Sequence, residues 1–208
     1  MRMIPIEGAT KKCGESFERG VGKTFSKVFP TKKQNKKRKD ITMSVTVSCA
    51  TLRAASKKVV EALLKRGETL STAESCTGGL IAKSITDIPG SSAMFFGACV
   101  TYTNEIKAKL LGVDPEIFER ESEVSVACAE AMALGARERL GTTYALSTTG
   151  YAGPGGGTDE NPVGTVYIAL ATPFGVTCKR FSAPLDANRT AVRKLATLCA
   201  LEMLEALL

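Results

Sequence analysis

Strand-like and helix-like segments alternate along most of this sequence, and that alternation constrains the fold more than any other feature. From Thr51 to Arg66, the residues Leu52, Ala55, Val59, Leu63 and Leu64 recur at helical spacing, with Gly67 placed as a C-cap. Thr69 to Ala73 reads as a short strand that breaks into Glu74-Ser75-Cys76-Thr77-Gly78-Gly79, followed by an apolar helix ending near Asp87-Ile88-Pro89-Gly90. A second strand is predicted from Phe95 to Thr103, with Asn104 capping a helix over Glu105–Leu111. Asp114-Pro115 opens a short helix, because proline is preorganised for the first helical position. Ser125 caps a helix running to Gly141, Tyr144–Thr149 is a compact strand, and a glycine-rich loop covers Tyr151 to Asn161. Val163–Thr172 and Val176–Ser182 predict a hairpin about Pro173-Phe174-Gly175, and Asp186 is placed as the cap of a long terminal helix. The expected fold class is α/β, a three-layer α/β/α sandwich in one domain.

Charge divides the chain in two. Residues 1–43 hold 12 Lys and Arg against 4 Asp and Glu, whereas residues 44–208 hold 16 against 17. The net charge of +7 therefore belongs to the tail, and residues 44–208 form a nearly neutral domain. The run Lys32 to Lys39 (KKQNKKRK) makes residues 1–43 a solvated basic tail, one that suits contact with polyanions or a nuclear or organelle address. The seven cysteines include no CxxC pair, which points to a reducing, cytoplasmic setting rather than a disulfide framework. The chain contains no histidine, so a metal site is not expected and acid–base work falls to Lys, Tyr or carboxylates. No apolar run is long enough to span a bilayer.

Three strand-to-helix junctions place small or hydroxyl residues where unpaired backbone amides and the helix dipole favour anions. In the first, Glu74, Ser75 and Thr77 stand beside two glycines that admit a ligand to the backbone. The second runs from Gly90-Ser91-Ser92-Ala93 to Tyr102 and Lys107. A lysine buried near a helix start has its ammonium disfavoured, and a neutral lysine can act as base for a serine hydroxyl without histidine. The third, Ser147 to Gly157, sets Thr149 and Gly150 at a strand end, where α/β sheets bind ligands. Arg189 and Arg193, four residues apart, share one face at the start of the terminal helix. Cations oppose the dipole there, so their placement suits a bound phosphate.

The segments AESCTGGLIAKSITDIPGSSAMFFGACVTYTNEIKAKLLGV, STTGYAGPGGG, NPVGTVYIAL and NRTAVRKLAT together resemble the C-terminal domain of the competence/damage-inducible protein CinA. The resemblance is colinear over roughly residues 50–208, and that domain also occurs alone as nicotinamide-nucleotide amidase. It implies hydrolysis of nicotinamide mononucleotide to nicotinate mononucleotide and ammonia, no cofactor or metal, and a homo-oligomer. By position it implies Ser92 as the nucleophile, with Tyr102 and Lys107 activating it. Thr149, beside Gly150, would stand at the nicotinamide end and Arg189, with Arg193 near it, at the phosphate, while Glu74, Ser75 and Thr77 line the pocket. Ser75 also lies in a matching motif; Ser92 is preferred because Tyr102 and Lys107 follow it in one strand–helix unit. The family commonly has Ile at Tyr151 and an acid at Asn188. A non-catalytic nucleotide-binding module of the same fold is the alternative function.

Overall fold

The computed structural model describes residues 47–208, so every expectation for the basic tail lies outside the described residues. Ser48 opens the first helix, α1 (Cys49–Arg66), by accepting a hydrogen bond from the Thr51 amide, and Gly67 ends it at a φ of 65°. There follow β1 (Leu70–Glu74), α2 (Leu80–Thr86), a 3₁₀ turn at Ser91–Ala93, and β2 (Phe95–Val100). The short α3 (Asn104–Ile106) runs into a π turn at Lys107–Leu111, and α4 (Pro115–Arg120) and α5 (Val126–Leu140) complete that stretch. Then come β3 (Tyr144–Gly150), β4 (Thr165–Thr172), β5 (Gly175–Ser182) and α6 (Arg189–Glu205).

The five strands form one mixed sheet in the order β2-β1-β3-β4-β5. β1 runs parallel to β2 and β3, while β4 and β5 form the expected antiparallel hairpin. Strand alternation sorts side chains by size. Leu70, Leu146, Val166, Ile168 and Leu170 face α1, α2 and α6, whereas Ala73, Ala145, Ala169 and Ala171 face α5. Both helix-covered faces make this the expected three-layer α/β/α sandwich. The alanine face lets α5 lie close, and α5 answers with Ala129, Ala133, Gly135 and Ala136. A β-carbon at Gly135 would stand 1.9 Å from the Leu111 carbonyl oxygen, so glycine is required where the π turn crosses.

Some boundaries differ from expectation. β2 ends at Val100, and Thr103 rather than Asn104 caps α3, its hydroxyl accepting from the Ile106 amide at 3.3 Å. Asn188 rather than Asp186 caps α6. Leu64 is 40% exposed, and the buried face of α1 is completed instead by Ser56 and Val60. Several short polar residues stand near each of these helix starts, and local preference does not choose among them.

Candidate active site

Because β1, β2 and β3 are parallel, their C-terminal ends open on one sheet edge. β1 lies between the other two, so the chain leaves it first toward β2 and later toward β3. Such a change of direction leaves a crevice beyond the strand ends, where open α/β sheets receive ligands. A cavity of about 150 Å³ occupies it, lined among others by Ser75, Tyr102, Lys107, Thr149, Gly150 and Arg189.

Lys107 is the central group. Its side chain is 1% exposed, and Nζ donates to the Thr101 carbonyl at 3.1 Å and lies 3.4 Å from Ser75 Oγ. The helical backbone that carries it widens into a π turn starting at this residue, a local distortion common at functional positions. Burial pushes its pKa below the ordinary 10.5, partly opposed by the acidic groups of Cys128, Glu123 and Cys76. A larger share of the side chain is therefore free amine, able to take a proton. Cys76, also in the lining, is held by burial as a neutral thiol with its pKa pushed up to about 12, which leaves it a poor nucleophile.

Ser92 does not join this group. It is exposed in the 3₁₀ turn before β2, beside the start of β1, where Leu70 pairs with Phe95. The length of β2 puts roughly 17–20 Å between it and the strand end that leads to Lys107. Within one chain Ser92 therefore does not pair with Lys107, contrary to expectation: adjacency in sequence across a strand means opposite ends of the sheet. The hydroxyl within reach of the lysine is that of Ser75.

Glu74 and Thr77 were placed in the pocket wall; both instead lie fully buried behind it. The Glu74 carboxylate accepts from the Thr77 hydroxyl at 2.7 Å and from the Ile81 and Ala82 amides at 3.1 and 2.9 Å, capping α2 from within the sheet. The Thr77 and Thr148 hydroxyls, 2.7 Å apart, extend this network to β3. These bonds fix the turn that carries Ser75. Thr149 does line the cavity, but its hydroxyl donates to the Glu123 carbonyl at 2.6 Å. Gly150 beside it has no room for a side chain, since a β-carbon there would stand 2.4 Å from the Thr165 carbonyl oxygen.

The two arginines separate in role. Arg189 spans the cavity mouth, donating to the Gly153 carbonyl and to the Tyr102 hydroxyl, both at 2.7 Å. Three of the five guanidinium N–H groups remain for a ligand. Arg193 points away from the cavity and donates twice to the Thr77 carbonyl, at 3.1 and 2.6 Å, packing against Gly78. Its expected place at a phosphate gives way to a tie between α6 and the Ser75 turn. Tyr102 is 58% exposed and orients Arg189; it does not touch Lys107 by any hydrogen bond among the described residues. A neighbouring groove of about 800 Å³ shares Val124 and Tyr151 with the cavity. Its lining sets Glu119, Glu121, Asp159 and Glu160 against Arg120 alone, which disfavours an anion there. Among the described residues, no group of three or more His, Cys, Asp or Glu is arranged to hold a metal, and no helix is long and apolar enough to cross a membrane.

A strand-end cavity holding a buried lysine, a serine and a mouth arginine defines an α/β domain with the parts for nucleophilic acyl chemistry. Comparison with known proteins gives the family: the model for the CinA C-terminal domain matches residues 52–208, and the chain belongs to this family. It is 53% identical over 147 residues to a CinA-like protein of Myxococcus xanthus, covering 70% of this chain and 34% of that protein. A CinA-like protein of Synechocystis is 60% identical over 118 residues, covering 56% of this chain and 28% of the relative. This chain thus spans about a third of the curated relatives it matches. The crystal structure of the competence/damage inducible protein CihA from Agrobacterium tumefaciens superposes with a TM-score of 0.74 at 40% identity, covering 79% of this chain and 99% of that one. A competence-damaged protein (CinA) superfamily structure from Escherichia coli gives 0.73 at 32% identity, over 79% and 95% of the two chains.

Proposed function

We propose that this chain is an amidohydrolase that converts nicotinamide mononucleotide to nicotinate mononucleotide and ammonia. The observation that carries the reading is the fully buried Lys107 amine lying 3.4 Å from the Ser75 hydroxyl at the ligand-binding edge of the sheet. That separation is long for a hydrogen bond, as is common in unliganded sites that tighten around substrate. Ser75 attacks the carboxamide carbon as its proton passes to Lys107, giving a tetrahedral adduct. The protonated lysine returns the proton to the departing nitrogen, ammonia leaves, and water attacks the acyl-enzyme with the same lysine as base. Charge developing on the carbonyl oxygen falls to backbone amides of the turn after Ser75, because the Thr77 and Thr149 hydroxyls already donate elsewhere. Thr149 Oγ1 keeps its lone pairs free to accept from the carboxamide nitrogen.

The size of the cavity supports the orientation. At about 150 Å³ it suits the carboxamide and ring, while the ribose and phosphate extend past Tyr102 to Arg189, whose spare donors match phosphate oxygens. The test is ammonia release from nicotinamide mononucleotide by the full chain, with Lys107→Ala and Ser75→Ala as controls. Wild-type protein of intact secondary structure that releases no ammonia overturns the assignment. Thermal stabilisation by the nucleotide without turnover would then mark a binding module.

A further inference from the structure

The third wall of the cavity is the segment joining α4 to α5, and its backbone is fixed on both flanks. Ser122 turns the chain at a φ of 76°, accepts from the Val124 amide at 3.2 Å through its hydroxyl, and accepts from Ser125 Oγ at 2.9 Å through its carbonyl. The Glu123 carbonyl receives the Thr149 hydroxyl, and the Val124 carbonyl receives Asn161 Nδ2 at 3.2 Å. Glu123 is thereby held in the lining, half-buried, and among the described residues it is the only carboxylate there; Lys107 and Arg189 are the cations. Its charge is felt at Lys107 and at Tyr151, whose phenol is raised by burial first and then by the Glu123 charge.

A carboxylate in this position works against the rest of the site. A phosphate held by Arg189 is repelled by it, and a lysine that must act as free amine is made less acidic by it. The conflict disappears for a ligand that carries positive charge a ring's length from its phosphate. Building on the amidase reading, we infer that Glu123 is the specificity-determining residue of this cavity: it selects the cationic, quaternary pyridinium ring over an uncharged ring with the same carboxamide, ribose and phosphate. Arg189 takes the anionic end of the inner salt and Glu123 faces the cationic end.

Binding, measured apart from turnover, tests this. In the full chain carrying Lys107→Met, which removes the base and preserves ligand, the dissociation constants of nicotinamide mononucleotide and of its reduced, uncharged-ring form are measured by calorimetry. Adding Glu123→Gln weakens the oxidised nucleotide about tenfold, as loss of one partly screened charge contact does, and leaves the reduced form within about twofold. Glu123→Asp retains most of the preference, which separates charge from packing. Equal changes for both nucleotides, no change for either, or no binding of either overturns the inference. Ammonia release by wild type is scored separately: release with no Glu123-dependent selectivity sinks this inference alone, and selectivity without release sinks the amidase reading alone.

Discussion

Replacing Lys107 by methionine separates chemistry from architecture. Methionine fills nearly the same volume in a position that is 1% exposed, so packing is kept. The Thr101 carbonyl loses its amine donor, a cost of about 1–3 kcal/mol if no water replaces it. Against this stands relief from burying an amine whose charged form burial disfavours. The sign of that linkage is definite. With the folded pKa below 10.5, the unfolded chain holds more protons between the folded value and 10.5, so this group makes stability rise with pH across that window. In the methionine variant that alkaline rise disappears, and the two opposing effects leave stability near neutrality close to wild type. Activity responds differently. Losing a general base costs roughly 10²–10⁴-fold in kcat, on the order of 3–5 kcal/mol of transition-state stabilisation. In the wild type, kcat/KM for nicotinamide mononucleotide rises with pH as the amine deprotonates and levels off below pH 10.5. The acidic groups facing the amine are Glu123, Cys76 and Cys128; burial raises both thiols, Cys76 to about 12 and Cys128 to about 11, so neither thiol carries charge at neutral pH. Ammonia release followed across pH, alongside thermal melts of both proteins, checks the whole scheme. A methionine variant within tenfold of wild type, or a wild-type profile whose midpoint lies at or above 10.5, refutes the argument.

Other outcomes follow from single contacts. Ser75→Ala lowers kcat by about 10³-fold or more while Ser92→Ala stays within about threefold, because only the first hydroxyl meets the lysine; single-turnover assays giving the reverse order would transfer the nucleophile to Ser92. Arg189→Ala raises KM for the nucleotide by at least about tenfold, whereas hydrolysis of phosphate-free nicotinamide riboside, measured in parallel, changes little. Gly150→Ala drives a β-carbon into the β4 backbone and costs about 1–3 kcal/mol or more; a denaturant midpoint matching wild type would contradict the steric reading. Arg193→Ala releases the Thr77 carbonyl and lowers the melting temperature before it affects substrate affinity, a distinction that paired melting and KM measurements resolve.

The layers of the fold were legible because local signals act on their own neighbourhoods: the helical spacing of Leu52, Ala55, Val59 and Leu63 and the glycines after α1 and α5 mark the elements without reference to distant segments. The place of Lys107 after a strand end and a cap made it a candidate base only on condition of burial, and the sequence alone does not show that burial. Its partner was not legible either, because which serine it meets depends on strand direction, a property of pairing between distant segments. The shared face of Arg189 and Arg193 is likewise genuine helical geometry, yet one turn of helix moves a guanidinium from the cavity mouth to the back of the Ser75 turn. Glu123 escaped notice for a simpler reason. An acid two residues before a helix cap is what the helix dipole favours in any protein, and its place in the cavity lining depends on contacts with distant segments, the Thr149 hydroxyl on its carbonyl and Asn161 on the next one.

Arg189 sits at the first position of the last helix, yet it joins the loop after β2 to the loop after β3. The mouth of the cavity therefore exists only once α6 has docked. The five strands can pair while the guanidinium that bridges Tyr102 and Gly153 is still missing from the rim. The rim of the cavity is thus the part that depends on α6, and a variant lacking that helix forfeits it even where the sheet survives.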